Sequence, residues 1–261
     1  MNSQAIKMLL IYIVVCAISV QSSNSAVFIV NNTNDIGAGS LRAAMQSANA
    51  TQGHDTIVFN IFSSPSTTIT IYPLSALPLL TDPMGVTIDG FSQGSSSAGS
   101  APPATANLMI AVNGAKAGNV HGFHIVSSNN IIQGLVVDSF AQDGIRIEGT
   151  VAPGTFNNLV YCCFVGTDHS GSLDYGNGWN IAGGLWAGIN ILVGPCSVPF
   201  YCYNNMVDGC LSSGNFAEGV SITNCPPGDC YQNTVQNSYI GVDITGLFDL
   251  GNDHDGVLIG E

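Results

Sequence analysis

The chain has 261 residues, with 31 glycines and only 4 Lys and Arg against 17 Asp and Glu, for a formal charge of −13. That length suffices for one sizeable domain with a real core, and the acidic balance repels nucleic acid, anionic lipid and polyuronates within a Debye length, so no nucleic-acid partner is expected. Mean hydropathy is positive, yet no apolar run reaches the roughly 18 residues of a membrane span, so no transmembrane segment is expected after signal removal.

Residues 1–25 read as a signal peptide. Lys7 supplies the basic start, Met8 to Val20 is an apolar run too short to span a bilayer, and Ser23 and Ser25 suit cleavage before Ala26. Val15 before Cys16 is not small, which argues against a lipoprotein signal. The remainder, 26–261, reads as one domain with an N-terminal cap at about 26–62 and coils from about 63 onward.

Ala26 to Val30 is the first predicted strand. Ser40 is a good N-cap, and Leu41, Ala44, Met45 and Ala48 fall on one face of a helix over 40–50, placed to cap the first coil. Strands are then predicted at 56–59, 68–71, 86–88, 108–110 and 124–126, with a protruding Ser-, Gly-, Ala- and Pro-rich loop at 93–103. Asn31 and Asn49 stand in glycosylation sequons.

From residue 130 the sequence repeats without gaps at a spacing of 75. Asn130-Ile-Ile-Gln-Gly134 meets Asn205-Met-Val-Asp-Gly209, and Asp143-Gly-Ile-Arg-Ile147 meets Glu218-Gly-Val-Ser-Ile222. Phe164-Val-Gly-Thr-Asp168 meets Tyr239-Ile-Gly-Val-Asp243. Each unit divides again at a marker Asn that opens a short apolar strand: Asn130, Asn158, Asn205 and Asn233. A second strand follows each marker at Gly144, Gly188, Gly219 and Gly256. The Asn-to-Gly distance is 14, 30, 14 and 23 residues, so extra length enters at one corner only.

Strands this short cannot bury a face alone; stacked coil on coil they form parallel sheets around a continuous core. Ile132, Val160, Val207 and Val235 follow the markers by two and form the expected inward stack. The markers should stack as an asparagine ladder, with coils at 129–156, 157–203, 204–231 and from 232 onward. The fold class expected is all-β: a single-stranded right-handed parallel β-helix with a short N-terminal capping helix.

Val30-Asn-Asn-Thr-Asn-Asp-Ile-Gly-Ala-Gly-Ser-Leu-Arg-Ala-Ala-Met45, followed by Asp55-Thr-Ile-Val-Phe59, resembles the opening of large secreted or cell-surface β-helix repeat proteins. Leu77-Pro-Leu-Leu-Thr-Asp82, Thr87-Ile-Asp-Gly90, Gly166-Thr-Asp168 and Gly176-Asn177 extend the resemblance over nearly all the mature chain. It implies the pectin-lyase-like fold and an extracellular or surface location, but no single activity, because that fold hosts lyases, hydrolases, adhesins and spacers.

The function expected is non-catalytic binding of carbohydrate or a surface partner through lateral loops. The alternative is a polysaccharide lyase or glycoside hydrolase. Against catalysis, the outward row Arg146, Asn190, Ser221, Leu258 holds no carboxylate pair. Arg146 and Glu148, with Asp138 or Asp143 near, are the catalytic candidates, against a reading as a weak surface ion pair. His121 and His124 have no paired acid close in sequence and read as polar strand residues. Tyr175, Trp179 and Trp186, in or beside an inserted loop, are the candidates for stacking on sugar.

Asp168, Asp174 and Asn177 share their spacing with Asp243, Asp249 and Asn252; such sets wrap Ca²⁺ or form turns that bond their own backbone. Of the cysteines, Cys196 and Cys202 bracket one short loop and Cys225 and Cys230 another, which reads as two local disulfides. Cys163 and Cys210 share an offset from their markers and are expected as stacked neighbours, with Cys162 left over. Asp255-Gly-Val-Leu-Ile259 is the last strand, and no capping element follows it before Glu261. The expectation drawn is a longer β-helix or end-to-end pairing with another chain.

Overall fold

The structure is a computed structural model that describes residues 25–63, 67–150, 152–180, 184 and 186–260. All but the last residue of the expected signal peptide, Cys16 included, lies outside the described residues. In chain order the elements are β1 (Val27–Val30), α1 (Leu41–Ala50), β2 (Asp55–Phe59), β3 (Ile69–Ile71), β4 (Val86–Asp89), β5 (Ile110–Asn113) and β6 (Phe123–Ile125). Then come β7 (Ile131–Gln133), β8 (Leu135–Asp138), β9 (Ile145–Gly149), β10 (Thr155–Phe156), β11 (Leu159–Tyr161), β12 (Phe164–Val165), β13 (Ile189–Val193) and β14 (Tyr201–Tyr203). The last are β15 (Met206–Asp208), β16 (Leu211–Ser212), β17 (Val220–Thr223), β18 (Asp229–Tyr231), β19 (Thr234–Gln236), β20 (Tyr239–Ile240) and β21 (Val257–Gly260).

These strands form four sheets, of seven (β1-β2-β4-β7-β11-β15-β19), six (β20-β16-β12-β8-β5-β3), five (β21-β17-β13-β9-β6) and three strands (β10-β14-β18). Neighbouring strands pair in parallel. From β7 onward the chain visits the sheets in a fixed cycle and returns to the first beside its previous pass, as a parallel β-solenoid does.

The predicted register holds. Val160 pairs Ile132 and Val207, and Val207 pairs Val235. Ile57 and Ile88 extend this inward row, and apart from the terminal Val235 its members are buried. Ser40 caps α1, accepting the Ala43 amide at 3.2 Å, and the helix buries Leu41, Ala44, Met45 and Ala48. One prediction is displaced: the strand expected at 108–110 runs Ile110–Asn113, because pairing of Ile110 with Leu135 sets the register.

The asparagine ladder is present and fully buried at Asn130, Asn158 and Asn205. Asn158 Oδ1 accepts both the amide and Nδ2 of Asn130, at 2.8 and 2.9 Å; Asn205 does the same for Asn158, and Asn233 for Asn205. The residue before each rung lies in the left-handed region: Asn129 (φ 64°), Asn157 (57°), Asn204 (54°) and Gln232 (57°). Asn tolerates that conformation best after Gly, which explains the Asn-Asn pairs in the sequence. A second left-handed corner follows the first sheet, at Gly134, Cys162, Gly209 and Asn237.

The cysteine pairing differs from the expectation. The disulfide joins Cys196 to Cys225, with Cα atoms 4.8 Å apart, and Cys202 and Cys230 are free. The two loops stand at the same corner of successive circuits and therefore lie one over the other, so the bond crosses between circuits instead of closing each loop. Cys202 and Cys230 sit in register on β14 and β18. Cys163 and Cys210 are stacked neighbours as expected, with the Cys163 amide 3.4 Å from Cys210 Sγ. Cys162, Cys163 and Cys210 are free and buried.

A candidate site on the lateral face

The corner between β8 and β9 gathers a cluster of sheltered charged side chains. The outward row of the third sheet runs His124, Arg146, Asn190, Ser221, Leu258, extending the predicted series by one histidine. Arg146 binds Glu148 through Nε to Oε2 at 3.0 Å and Nη2 to Oε1 at 3.1 Å, and binds Asp143 Oδ2 through Nη1 at 3.0 Å. His124 Nε2 lies 2.7 Å from Glu148 Oε2, and His121 Nδ1 lies 3.2 Å from Asp143 Oδ2. The acids that sequence distance hid are thus the catalytic candidates themselves, one circuit away. The expected exposed ion pair is instead a network largely sheltered from solvent, with side-chain exposures of 12% for Arg146, 14% for Glu148 and 0% for Asp143.

The electrostatics follow from that enclosure. Burial raises the Glu148 carboxyl, but His124 and Arg146 outweigh it and bring it down to about 2. Burial opposes the charge of Arg146, and Glu148 and Asp143 more than offset it. Asp143 Oδ1 accepts the Ala187 amide at 2.8 Å and Asn190 Nδ2 at 3.2 Å. Asn190 Oδ1 is buried with no hydrogen-bond partner. Gly194 lets the backbone pass: a Cβ there would stand 2.5 Å from Glu148 Oε1.

Trp179 and Trp186, from the described part of the segment between β12 and β13, stand against this corner. The Trp186 ring meets His121 edge-on at 5.3 Å between centroids, and His121 meets His124 in the same way. Trp179 Nε1 donates to Ser139 O at 3.2 Å, and the Ser139 amide donates to Tyr175 O at 2.8 Å. Tyr175 and Trp179 are each 49% exposed. A pocket of about 140 Å³ opens beside the histidines, lined by Leu77, Leu79, Val120 and Gln142 among others.

On the other side of Ser139 stands Asp138, named from the sequence as a candidate neighbour of the Arg146 and Glu148 couple. Asn113 Nδ2 donates to its Oδ1, and burial pushes its carboxyl up to about 7, against hydrogen bonds from Ser139 and Asn113. The charge of Asp168 adds to that rise.

The candidate cation ligands are engaged in local structure. Asp168 Oδ1 accepts from Ser170 Oγ at 2.8 Å, Leu173 N at 3.0 Å and Ser172 N at 3.1 Å. Asp243 Oδ1 takes Thr245 Oγ1, Leu247 N and Phe248 N in the same way. Burial raises both carboxyls, and these bonds outweigh it and hold them below the ordinary range. Asp174 and Asp249 accept the Gly176 and Gly251 amides. Asn177 and Asn252 are rungs of a second ladder, with Asn215 between them: Asn215 Oδ1 accepts Asn177 N at 3.2 Å, and Asn252 Oδ1 accepts Asn215 N at 3.0 Å. Asn215 escaped notice because its own circuit lacks the Asp-rich insertion. Among the described residues no group of three or more His, Cys, Asp and Glu side chains is arranged to hold a metal ion.

No family model matches the chain, and no curated protein matches it significantly. Among the described residues no helix is long and apolar enough to cross a membrane.

Proposed function

We propose that this chain is a secreted or cell-surface right-handed parallel β-helix of the pectin-lyase-like type. On this reading it binds carbohydrate without cleaving it, at the corner that carries Tyr175, Trp179 and Trp186. The observation that carries the reading is the presentation of Tyr175 and Trp179: both rings are half-exposed, and the Trp179 indole is tethered to Ser139 O, so little of its side-chain freedom is lost on stacking against a sugar. The adjoining His, Arg and Asn side chains supply directional polar contacts. The charge of −13 favours a neutral glycan over a polyuronate.

Titration of the secreted protein with neutral and uronate oligosaccharides tests the proposal. Neutral-glycan binding that weakens in Trp179→Ala supports it; equal binding by wild type and Trp179→Ala sinks it.

A second reading, a polysaccharide-acting enzyme, is favoured by one arrangement. Glu148 holds His124 through Nε2, which leaves Nδ1 free as a proton acceptor beside Arg146 and the small pocket. Reducing ends or unsaturated uronate released by wild type and not by His124→Ala would establish it. End-to-end self-association is a separate proposal, motivated by Val257 and Ile259 of β21, which are 42% and 75% exposed; sedimentation equilibrium over a concentration series decides it.

A further inference from the structure

Toward the N-terminal end the first ladder changes chemistry. Asn130 Oδ1 accepts the Val86 amide at 2.9 Å. Asp55 pairs with Val86 and accepts the Ala26 amide through Oδ1 at 2.7 Å. Asp55 is therefore a rung built from an acid. In the asparagine rungs the second side-chain atom is a donor aimed at the preceding turn: Asn130 Nδ2 to Ser127 Oγ at 3.0 Å, Asn205 Nδ2 to Thr155 O at 3.2 Å, Asn233 Nδ2 to Cys202 O at 2.9 Å. The corresponding atom in Asp55 is Oδ2, buried and without a partner.

A second carboxylate oxygen in the same condition belongs to Asp82, whose Oδ2 is also buried and unpartnered. Asp82 Oδ1 accepts Met84 N at 2.8 Å and its carbonyl accepts Gly85 N at 3.1 Å, shaping the turn that leads into Val86. His54, the residue before Asp55, laces the two segments together through Met84 O at 3.1 Å and Thr87 Oγ1 at 2.8 Å. Asp55 is 0% and Asp82 2% exposed. The basic side chains of the described residues are engaged elsewhere: Arg42 on Asp35, Lys116 over Tyr72, Arg146 in the lateral network. Leaving a buried charged oxygen unmet is costly.

We propose that Asp55 and Asp82 share one proton, an O–H of Asp82 Oδ2 donating to Asp55 Oδ2, so that the acid rung gains the partner an asparagine rung has and the N-terminal rung responds to pH. A single proton gives both orphan oxygens a partner. Burial pushes the Asp82 carboxyl above its ordinary range, the Met84 amide works against this, and the charge of Asp55 adds to it. His54 is the remaining titratable group acting on Asp82, and it favours the charged form. β1 carries no titratable side chain; Arg42 of α1 is paired with Asp35, and Asp89 at the far end of β4 bonds Gln133 and the Phe91 amide. For an acid whose carboxyl is raised in the folded state, the charged form is penalised, so stability falls as pH rises above the ordinary carboxylate range.

The test is thermal unfolding of the full chain from about pH 5 to about pH 8.5, with millimolar calcium or with chelator, for wild type, Asp55→Asn and Asp82→Asn. An asparagine at either position supplies the donor permanently. The expected result is a wild-type Tm that falls with pH while both variants stay level and exceed wild type by about 2–4 °C at the alkaline end. The infrared carbonyl stretch of a protonated carboxyl should be present in wild type and absent from Asp55→Asn. Variants less stable than wild type at every pH overturn the proposal. So does a calcium-dependent gain in wild-type Tm that Asp55→Asn abolishes, which would place a cation between the carboxylates instead.

Discussion

Glu148→Gln isolates the lateral network, because glutamine keeps the shape and removes the charge. In the wild type the carboxyl is brought from its ordinary 4.5 to about 2. At 1.36 kcal/mol per unit that difference is roughly 3 kcal/mol, and solvent at the rim of the corner screens about half of it. The amide also places a donor against Arg146 or His124, both donors to the present carboxylate, which adds to the loss and gives a net cost of about 2 kcal/mol at neutral pH. For a domain of this size that is a fall in Tm of about 4–8 °C. The pH dependence has a definite sign. A depressed carboxyl contributes stability that is complete above its unfolded value and is lost as pH falls through 4.5 toward about 2. Urea unfolding of wild type and Glu148→Gln should therefore show a full gap near pH 7 that narrows steadily over that acid window. A gap of constant size across the window would refute the electrostatic account and leave only packing.

Three further outcomes follow from named contacts. Asn158→Ala strands the buried Asn130 amide and removes two bonds to Asn158 Oδ1, for a loss of about 3 kcal/mol in chemical denaturation. Peptide mapping without reduction should recover Cys196 linked to Cys225, and Cys196→Ser should cost about 3 kcal/mol, as expected for a bond that spans 29 residues. Trp179→Ala should weaken neutral-glycan binding about tenfold while leaving Tm nearly unchanged, since the ring is half-exposed; calorimetric titration and a melting curve read the two effects separately.

Much of the architecture was legible because it is periodic. Asn130, Asn158, Asn205 and Asn233 recur with β-branched residues two positions later, and a buried stack needs that pattern in every circuit. The capping helix was equally local: Ser40 and one apolar face sufficed. The candidate site was legible only in part. Arg146, Glu148 and Asp143 stand within six residues, and they do converge. Their histidine partners come from the preceding circuit, and the clue was available: Gly122-Phe-His-Ile125 aligns with Gly144-Ile-Arg-Ile147, which sets His124 beside Arg146.

By itself the sequence determined the period, the inward stack and the first ladder, since each is a requirement that one circuit imposes on the next at a fixed position. Only the tertiary structure decided which loops lie over one another. Successive rungs are separated by 28 residues at Asn130–Asn158 and by 47 at Asn158–Asn205, so sequence proximity misjudges contacts at the corner that absorbs the difference. That is why Cys196 meets Cys225 and not Cys202, and why Asn177 and Asn252, which stand in different insertions, are rungs of one ladder. Backbone amides stacked along the axis must find acceptors in the next circuit, and that demand outranks any partner nearby in the chain.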